Sequence, residues 1–227
     1  MKRYEDLVEA KIIAYTQPVD DITANDLKDF IAYVARVSNP TNQFNNETAD
    51  GLIRYLIKHL HFSPLEMANV VIEINTTRDI ARQILRHRSN VFQEFSQRYA
   101  DVNELGDFVL REARLQDHDN RQNSVEVDNI ELQQQWDSWQ SKVIQTATEA
   151  YEWAIENHLA KEVARVVLPE GLTPSRMYVN GNIRNWIHYL GVREGKPTGT
   201  QKEHRLVADA VKMEILKIFN FQLTNDQ

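Results

Sequence analysis

The chain has 227 residues, of which 42% are hydrophobic and 26% charged, a composition that indicates a folded globular protein and excludes disordered and fibrous classes. It contains no cysteine, which excludes disulfides, thiolate metal sites and cysteine nucleophiles. The net charge of -7 argues against a protein that coats nucleic acid, and the scarcity of glycine (7) and proline (6) favours helices over a turn-rich all-β fold.

No stretch of the sequence has the length and apolarity of a membrane span. The longest wholly apolar run extends from Phe30 to Ala35, far short of the roughly 20 residues that a spanning helix needs. The first ten residues lack the apolar centre of a signal peptide. We therefore expect a cytoplasmic protein with no membrane partner.

The first part of the sequence changes its hydrophobic period from element to element. Residues 8–16 have strand character, and apolar residues recur at helical spacing over 25–37 and 47–60. In residues 69–75 the period becomes two, which predicts a strand with one strongly buried face, formed by Val70, Ile72 and Ile74.

The next predicted helix carries an unusual row of positive charge. Thr76 is its predicted N-cap, and the helix is expected to extend to about Arg88. Apolar residues fall on one side of it, while three arginines spaced four apart line the other, namely Arg78, Arg82 and Arg86. Like charges at this spacing repel unless an anion lies across them.

Residues 101–128 are polar and irregular, which predicts a long loop or a flexible pair of strands. A long helix follows, and its apolar stripe is predicted to pack in the core, with a contact between subunits as the alternative. The stripe consists of Leu132, Trp136, Trp139, Val143, Ala147, Ala150 and Ala154. The remaining predicted elements are a short helix over 162–168, a strand over 177–179, and helices over 182–192 and 203–219.

These elements predict an α+β fold, a helix-rich single domain with a small, mainly antiparallel sheet flanked by helices. No internal repeat, low-complexity tract or flexible linker divides the sequence, so one domain is expected over residues 1–227.

Positive charge is concentrated in one segment of this acidic chain. Between Arg78 and Arg98 there are five arginines against Asp79 and Glu94, a local excess of three positive charges. Arginine suits phosphate because its planar guanidinium group donates two parallel, charge-assisted hydrogen bonds. The segment therefore indicates a small anionic ligand, with a solvated basic turn as the alternative.

The order of residues in this segment is more specific than its composition. Arg86-His87-Arg88, then seven residues, then Ser96, with Arg98-Tyr99 closing the segment, resembles the signature of the flavin-dependent thymidylate synthases. Three further elements resemble that family in the same order along the chain. They are His61-Phe62-Ser63-Pro64-Leu65-Glu66 with Ala81-Arg82-Gln83, Glu162-Val163-Ala164-Arg165 with Leu168-Pro169, and the segment 182–193.

The resemblance extends from about His59 to Arg193, and the sequence departs from the family pattern at three positions inside it. Val91 occupies a position often filled by serine, Gln93 one where asparagine is common, and His188 one where an asparagine is expected.

The resemblance implies methylation of dUMP to dTMP, with 5,10-methylenetetrahydrofolate as the carbon donor, FAD as the bound cofactor and NADPH as its reductant. It also implies a homotetramer with shared active sites. The composition agrees with a flavin route, because a chain without cysteine cannot attack the uracil ring with a thiolate.

The resemblance also assigns roles to individual residues. Arg193 is the implied catalytic residue, placed against the uracil ring to favour its ionisation at N3. Contacts to FAD are implied for Ser63, Arg86, His87, Arg88, Glu94, Asn182, Arg184 and His188. The implied dUMP pocket consists of Gln83, Arg86, Glu94, Ser96, Arg98, Arg165 and Arg193.

A second function remains open from the sequence. A helical protein with an arginine face could hold nucleotides or single-stranded nucleic acid without catalysis. No metal is expected, because His59 and His61 have no neighbouring acidic or thiolate ligands that would complete a zinc site.

Overall fold

A four-stranded antiparallel sheet lies at the centre of the protein. The structure is a computed structural model and describes residues 1–20, 22, 24–194 and 199–219. The strand order in the sheet is β1 (Glu9–Tyr15), β2 (Asn69–Thr77), β6 (Pro174–Asn182) and β3 (Val91–Glu94). Two short strands, β4 (Arg114–Gln116) and β5 (Ser124–Glu126), form a separate antiparallel pair. Strand β6 is central, since it pairs with β2 over nine residues and with β3 over four.

Seven α-helices surround the sheet in the described part of the chain. They are α1 (Leu27–Ala35), α2 (Ala49–Lys58), α3 (Arg78–Ile84), α4 (Ile130–Glu156), α5 (Lys161–Ala164), α6 (Ile183–Arg193) and α7 (Lys202–Ile218). Helix α7 packs against β1 and β2, and α6 packs against α7 and against the short 3₁₀ segment Ser63–Met67. The predicted α+β fold with a small antiparallel sheet is confirmed.

The main core is built from the buried face of the sheet and the helices that cover it. The alternation predicted for β2 is confirmed, because Val70, Ile72 and Ile74 are fully buried. They pack in one cluster with residues of β6, α6 and α7, including Met177, Val179, Trp186, Tyr189, Val207 and Val211. This cluster ties the first half of the chain to the second.

The helix predicted to extend from Thr76 to Arg88 is shorter than expected. Its N-cap is Thr77, the last residue of β2, one residue later than predicted. The Thr77 hydroxyl donates to the Asp79 carboxylate at 2.5 Å. The helix ends at Ile84, and the backbone N–H of His87 then donates to the carbonyl oxygen of Ile84. This tighter turn releases the Arg86-His87-Arg88 segment from the helix and directs the chain into β3.

The stripe of the long helix is only partly buried. Ala147 and Ala154 pack inside as predicted, but Trp136, Trp139 and Val143 are exposed, Trp139 at 61%, so core packing was the wrong prediction for these three residues. The first half of α4 is held by polar contacts instead, because the Gln140 side chain donates to the carbonyl oxygen of Arg111 at 2.9 Å and accepts from its N–H at 2.7 Å. Helical periodicity identified the stripe but could not say which part of it another element covers.

Residues 101–128 contain the β4–β5 pair, in agreement with one of the two predicted possibilities. In the described ranges, every helix is too short or too polar to cross a lipid bilayer.

Candidate active site

The Arg86-His87-Arg88 segment is held against the start of α6. Asn182 caps this helix, since its side-chain oxygen accepts from the backbone N–H of Asn185 at 2.9 Å. Asn185 in turn donates from Nδ2 to the carbonyl oxygen of Ser89 at 2.8 Å. The segment that carries two arginines and a histidine is therefore fixed to the helix that carries Arg184, His188 and Arg193.

His87 and Arg193 meet inside this arrangement. The Nε of Arg193 donates to Nε2 of His87 at 3.1 Å, and the His87 ring packs edge-on against Tyr189 with 4.9 Å between ring centroids. Burial, together with the nearby charges of Arg193 and His188, lowers the pKa of His87 to about 4. His87 is therefore neutral near pH 7, and its Nε2 is an acceptor.

A chain of buried polar side chains continues from this pair toward α7. His204 is fully buried, with Nδ1 3.1 Å from Oε1 of Gln83 and Nε2 3.2 Å from the Tyr189 hydroxyl. Gln83 also donates from Nε2 to Oε1 of Gln201 at 2.8 Å. Burial and the charge of Arg193 lower the pKa of His204 to about 3, so this ring is neutral too.

Sequence reasoning missed His204, Tyr189 and Gln201. One signal was available, because His204 lies one helical turn before Val207 on the apolar face of α7, where a histidine needs hydrogen-bond partners. Nothing in the linear sequence placed those partners on α3 and α6.

Two guanidinium groups of the segment remain available. Arg86 and Arg88 are exposed, and neither forms an ion pair with any residue in the described part of the chain. The other arginines of the predicted row have carboxylate partners, since Arg78 lies 3.1 Å from Glu94 and Arg82 pairs with Glu170. The carboxylates of Glu94 and Glu170 thus supply part of the negative charge that was expected across the row.

One carboxylate oxygen of Glu94 is engaged in contacts within the chain. Its Oε1 accepts from Arg78 at 3.1 Å and from the Ser175 hydroxyl at 2.7 Å. Arg184 pairs with Glu66 and lies over the Phe62 ring, beside the segment that carries Ser63. His188 and Ser63 are exposed.

Ser96 and Arg98 lie in a different place from the His87 and Arg193 pair. Both line a surface cavity of about 380 Å³ together with Lys161 and Glu162, and Arg98 forms an ion pair with Glu162 at 3.0 Å. Arg165 is half-buried in the short 3₁₀ segment Arg165–Val167 that follows α5. No described contact joins this cluster to His87 or Arg193.

Three aromatic residues of the signature differ in their exposure to solvent. Phe92 packs against the core, and Phe95 is half-buried. Tyr99 is 87% exposed. It lies in the turn that bounds the Ser96 cavity, where no element of the described chain covers it.

The described residues contain no group of three or more histidine, aspartate or glutamate side chains that could hold a metal ion. His59 and His61 are exposed and pack around the Tyr55 ring.

Comparison with known proteins gives a consistent result. The family model described as thymidylate synthase complementing protein matches residues 19–219. The chain is 47% identical over 212 residues to a probable flavin-dependent thymidylate synthase of Paramecium bursaria Chlorella virus 1, with 93% of this chain and 95% of the relative covered. It is 40% identical over 214 residues to the flavin-dependent thymidylate synthase of a Synechocystis strain, with 93% and 96% covered.

Solved structures show the same fold. A crystal structure of the UMP/dUMP methylase PolB from Streptomyces cacaoi, bound with 5-Br UMP, matches with a TM-score of 0.79 at 24% identity. The match covers 93% of this chain and 89% of the other.

Proposed function

Because the chain belongs to the flavin-dependent thymidylate synthase family, we propose that it methylates dUMP to dTMP. The carbon unit would come from 5,10-methylenetetrahydrofolate, and NADPH would reduce the bound FAD. The observation that carries the proposal is the Arg86-His87-Arg88 segment fixed beside Arg193, with the Arg86 and Arg88 guanidinium groups exposed and without a carboxylate partner among the described residues. The identity of 47% over most of both chains supports the same reaction.

The donor chemistry of this segment fits FAD. A diphosphate needs several charge-assisted donors, and Arg86 and Arg88 are exposed without a carboxylate partner among the described residues. We propose that these two residues hold the cofactor together with Ser63, His87, Glu94, Asn182, Arg184 and His188. A bound flavin would supply the electrons that turn the transferred methylene unit into a methyl group.

We propose that Arg193 acts on the pyrimidine ring. Its guanidinium group carries a permanent positive charge, and the hydrogen bond from Nε to His87 leaves its Nη groups unassigned to any described partner. A fixed cation beside the uracil stabilises the negative charge that ionisation at N3 places on the ring, and the ionised ring is a better nucleophile toward the methylene unit. Because His87 is neutral, it orients the guanidinium group through a hydrogen bond and does not neutralise its positive charge.

Ser96 is proposed to bind dUMP and not to attack it. A serine nucleophile needs an adjacent general base, and no described histidine or carboxylate forms a hydrogen bond with the Ser96 hydroxyl. Gln83, Arg86, Glu94, Arg98 and Arg165 complete the proposed dUMP set with Arg193.

We further propose a homotetramer whose active sites are shared between chains. No contact among residues 1–20, 22, 24–194 and 199–219 joins the cluster of Ser96 and Arg98 to the pair of His87 and Arg193, so residues of a second chain could complete each of them. The exposed Trp136 and Trp139 line an open groove of about 710 Å³ and offer apolar surface for such a contact.

The test is reconstitution of the purified protein with FAD, followed by desalting. The proposed enzyme stays yellow and forms dTMP from dUMP, methylenetetrahydrofolate and NADPH. Protein that stays colourless, shows no FAD binding by calorimetry and binds single-stranded nucleic acid would instead support the non-catalytic binding module.

A further inference from the structure

His204 has an arrangement of partners that determines its protonated nitrogen. The Tyr189 hydroxyl is fully buried, and burial raises its pKa, so it keeps its proton and needs an acceptor. The acceptor that lies within reach among the described residues is Nε2 of His204, at 3.2 Å. In the neutral ring the hydrogen must then be on Nδ1.

The protonated Nδ1 determines the orientation of the next side chain. Nδ1 of His204 lies 3.1 Å from the Gln83 side chain, so it donates to the amide oxygen, and the amide nitrogen faces Gln201, whose oxygen it meets at 2.8 Å. A Gln83 amide turned the other way would place its own N–H groups against the N–H of His204.

One N–H of the Gln83 amide then has no partner among the described residues. Gln83 is half-buried, so this N–H can reach a ligand. Resting on the proposed function, we infer that His204 is a positioning residue for dUMP: it holds the Gln83 amide with one N–H directed at a carbonyl oxygen of the pyrimidine. Each group in this chain thus donates a hydrogen bond to the next, from the Tyr189 hydroxyl to His204, from His204 to Gln83, and from Gln83 to the substrate.

Two variants separate this role from simple packing. His204→Leu fills similar space but donates no hydrogen bond. His204→Asn keeps an N–H near the position of Nδ1, and both variants lose the contact of Nε2 with Tyr189. A difference between the two therefore reports the bond to Gln83.

The measurement is the dissociation constant of dUMP for the FAD-reconstituted protein, by calorimetry, with thermal unfolding followed in parallel. We expect His204→Leu to weaken dUMP binding about 2- to 10-fold, as for the loss of one hydrogen bond, and His204→Asn to restore most of that loss. In a Gln83→Ala background, His204→Leu should change dUMP affinity no further. If His204→Leu does not fold, His204→Gln, which lacks a donor at the Nδ1 position, replaces it.

Equal weakening by the leucine and asparagine variants, wild-type affinity in the leucine variant, or full additivity with Gln83→Ala would each overturn the inference. If the wild-type protein binds dUMP but forms no dTMP, the proposed reaction fails, and the variants still decide the role of His204. A wild-type protein that does not bind dUMP overturns both.

Discussion

Nε of Arg193 donates a hydrogen bond of 3.1 Å to Nε2 of His87, which joins the last residue of α6 to the signature segment that follows α3. The bond requires a neutral His87, and burial together with the Arg193 charge keeps the ring neutral. The guanidinium group is thereby oriented by an acceptor that carries no charge of its own.

The first prediction concerns the catalytic role of Arg193. If it stabilises charge that develops on the uracil, Arg193→Ala should lower kcat by about 10² to 10³ and not merely raise KM. Reduction of the flavin by NADPH does not need an ionised uracil, so this half-reaction, measured without dUMP, should survive. Stopped-flow absorbance and dTMP formation in the same variant compare the two rates.

Arg54→Ala, at an exposed position on α2, is the matched control and should leave both rates unchanged. If both rates fall together in Arg193→Ala, the residue holds the flavin or the fold, and the mechanistic role is wrong.

The second prediction concerns Ser96. Ser96→Ala should weaken dUMP binding about 2- to 10-fold, because it removes one neutral hydrogen bond worth about 0.5–1.5 kcal/mol, and turnover should persist. Steady-state kinetics with varied dUMP measure the change. Complete loss of turnover at unchanged dUMP affinity, or a serine-nucleotide adduct seen by mass spectrometry, would contradict the proposed role.

The third prediction concerns acid sensitivity. His87 and His204 have pKa values of about 4 and 3 in the folded chain, below the ordinary histidine value of about 6.5, so the unfolded chain binds more protons as the pH falls through 6.5. The free energy of unfolding is therefore unaffected by these two histidines above about pH 6.5 and decreases below it. The fully buried His204 alone should remove roughly 1 kcal/mol per pH unit between pH 6 and 5.

Thermal unfolding between pH 7 and 5 checks this. The decrease in Tm on acidification should be smaller in His204→Asn, which cannot titrate, although that variant is less stable at pH 7. The neighbouring Glu203 should not titrate within this pH range and so should not change the difference in Tm between the two proteins. Burial would raise the pKa of Glu203, but Arg111 and Arg114 outweigh it and keep the pKa low, so its effect appears only at more acidic pH. Equal decreases in Tm would show that His204 is not buried in its neutral form.

The fourth prediction concerns a close approach beneath the signature segment. A Cβ at Gly181 would lie 2.4 Å from Oδ1 of Asn90, which is itself buried. Gly181→Ala should therefore lower the free energy of unfolding by about 1–3 kcal/mol. Adding Asn90→Ala should recover part of the loss.

Gly191→Ala is the matched control on α6, where a Cβ meets nothing within 4 Å. It should stabilise the protein by about 0.4–1 kcal/mol by restricting the unfolded chain. Denaturant unfolding of the variants measures these differences, and a similar effect at both glycines would refute the steric explanation.

Local patterns in the sequence predicted the elements of the fold but not their contacts. The alternation of Val70, Ile72 and Ile74 identified β2, since a strand with one buried face imposes that period on its own residues. The end of α3 at Ile84 was missed because the turn there is imposed by the pairing of β3 with β6, which begins over 80 residues later.

For the candidate site, too, the sequence predicted individual residues but not how they lie relative to one another. The signature identified His87 and Arg193, and the structure brings them together, but their assigned roles stay predictions. The separation of Ser96 from this pair, and the burial of His204 against Gln83, depend on tertiary packing that no local pattern contains.

The central position of β6 imposes an order on the synthesis and folding of the chain. β1 and β2 can pair once Thr77 has left the ribosome. Among the described residues β3 has its only sheet partner in β6, and β2 lacks its second partner until Asn182 has left the ribosome too. A nascent chain that has reached α4 therefore carries one open edge of β2 with unpaired backbone N–H and C=O groups. Ribosome-bound chains truncated before Pro174 are the forms of this protein most exposed to aggregation, and chaperones that bind extended apolar strands are expected to act on them.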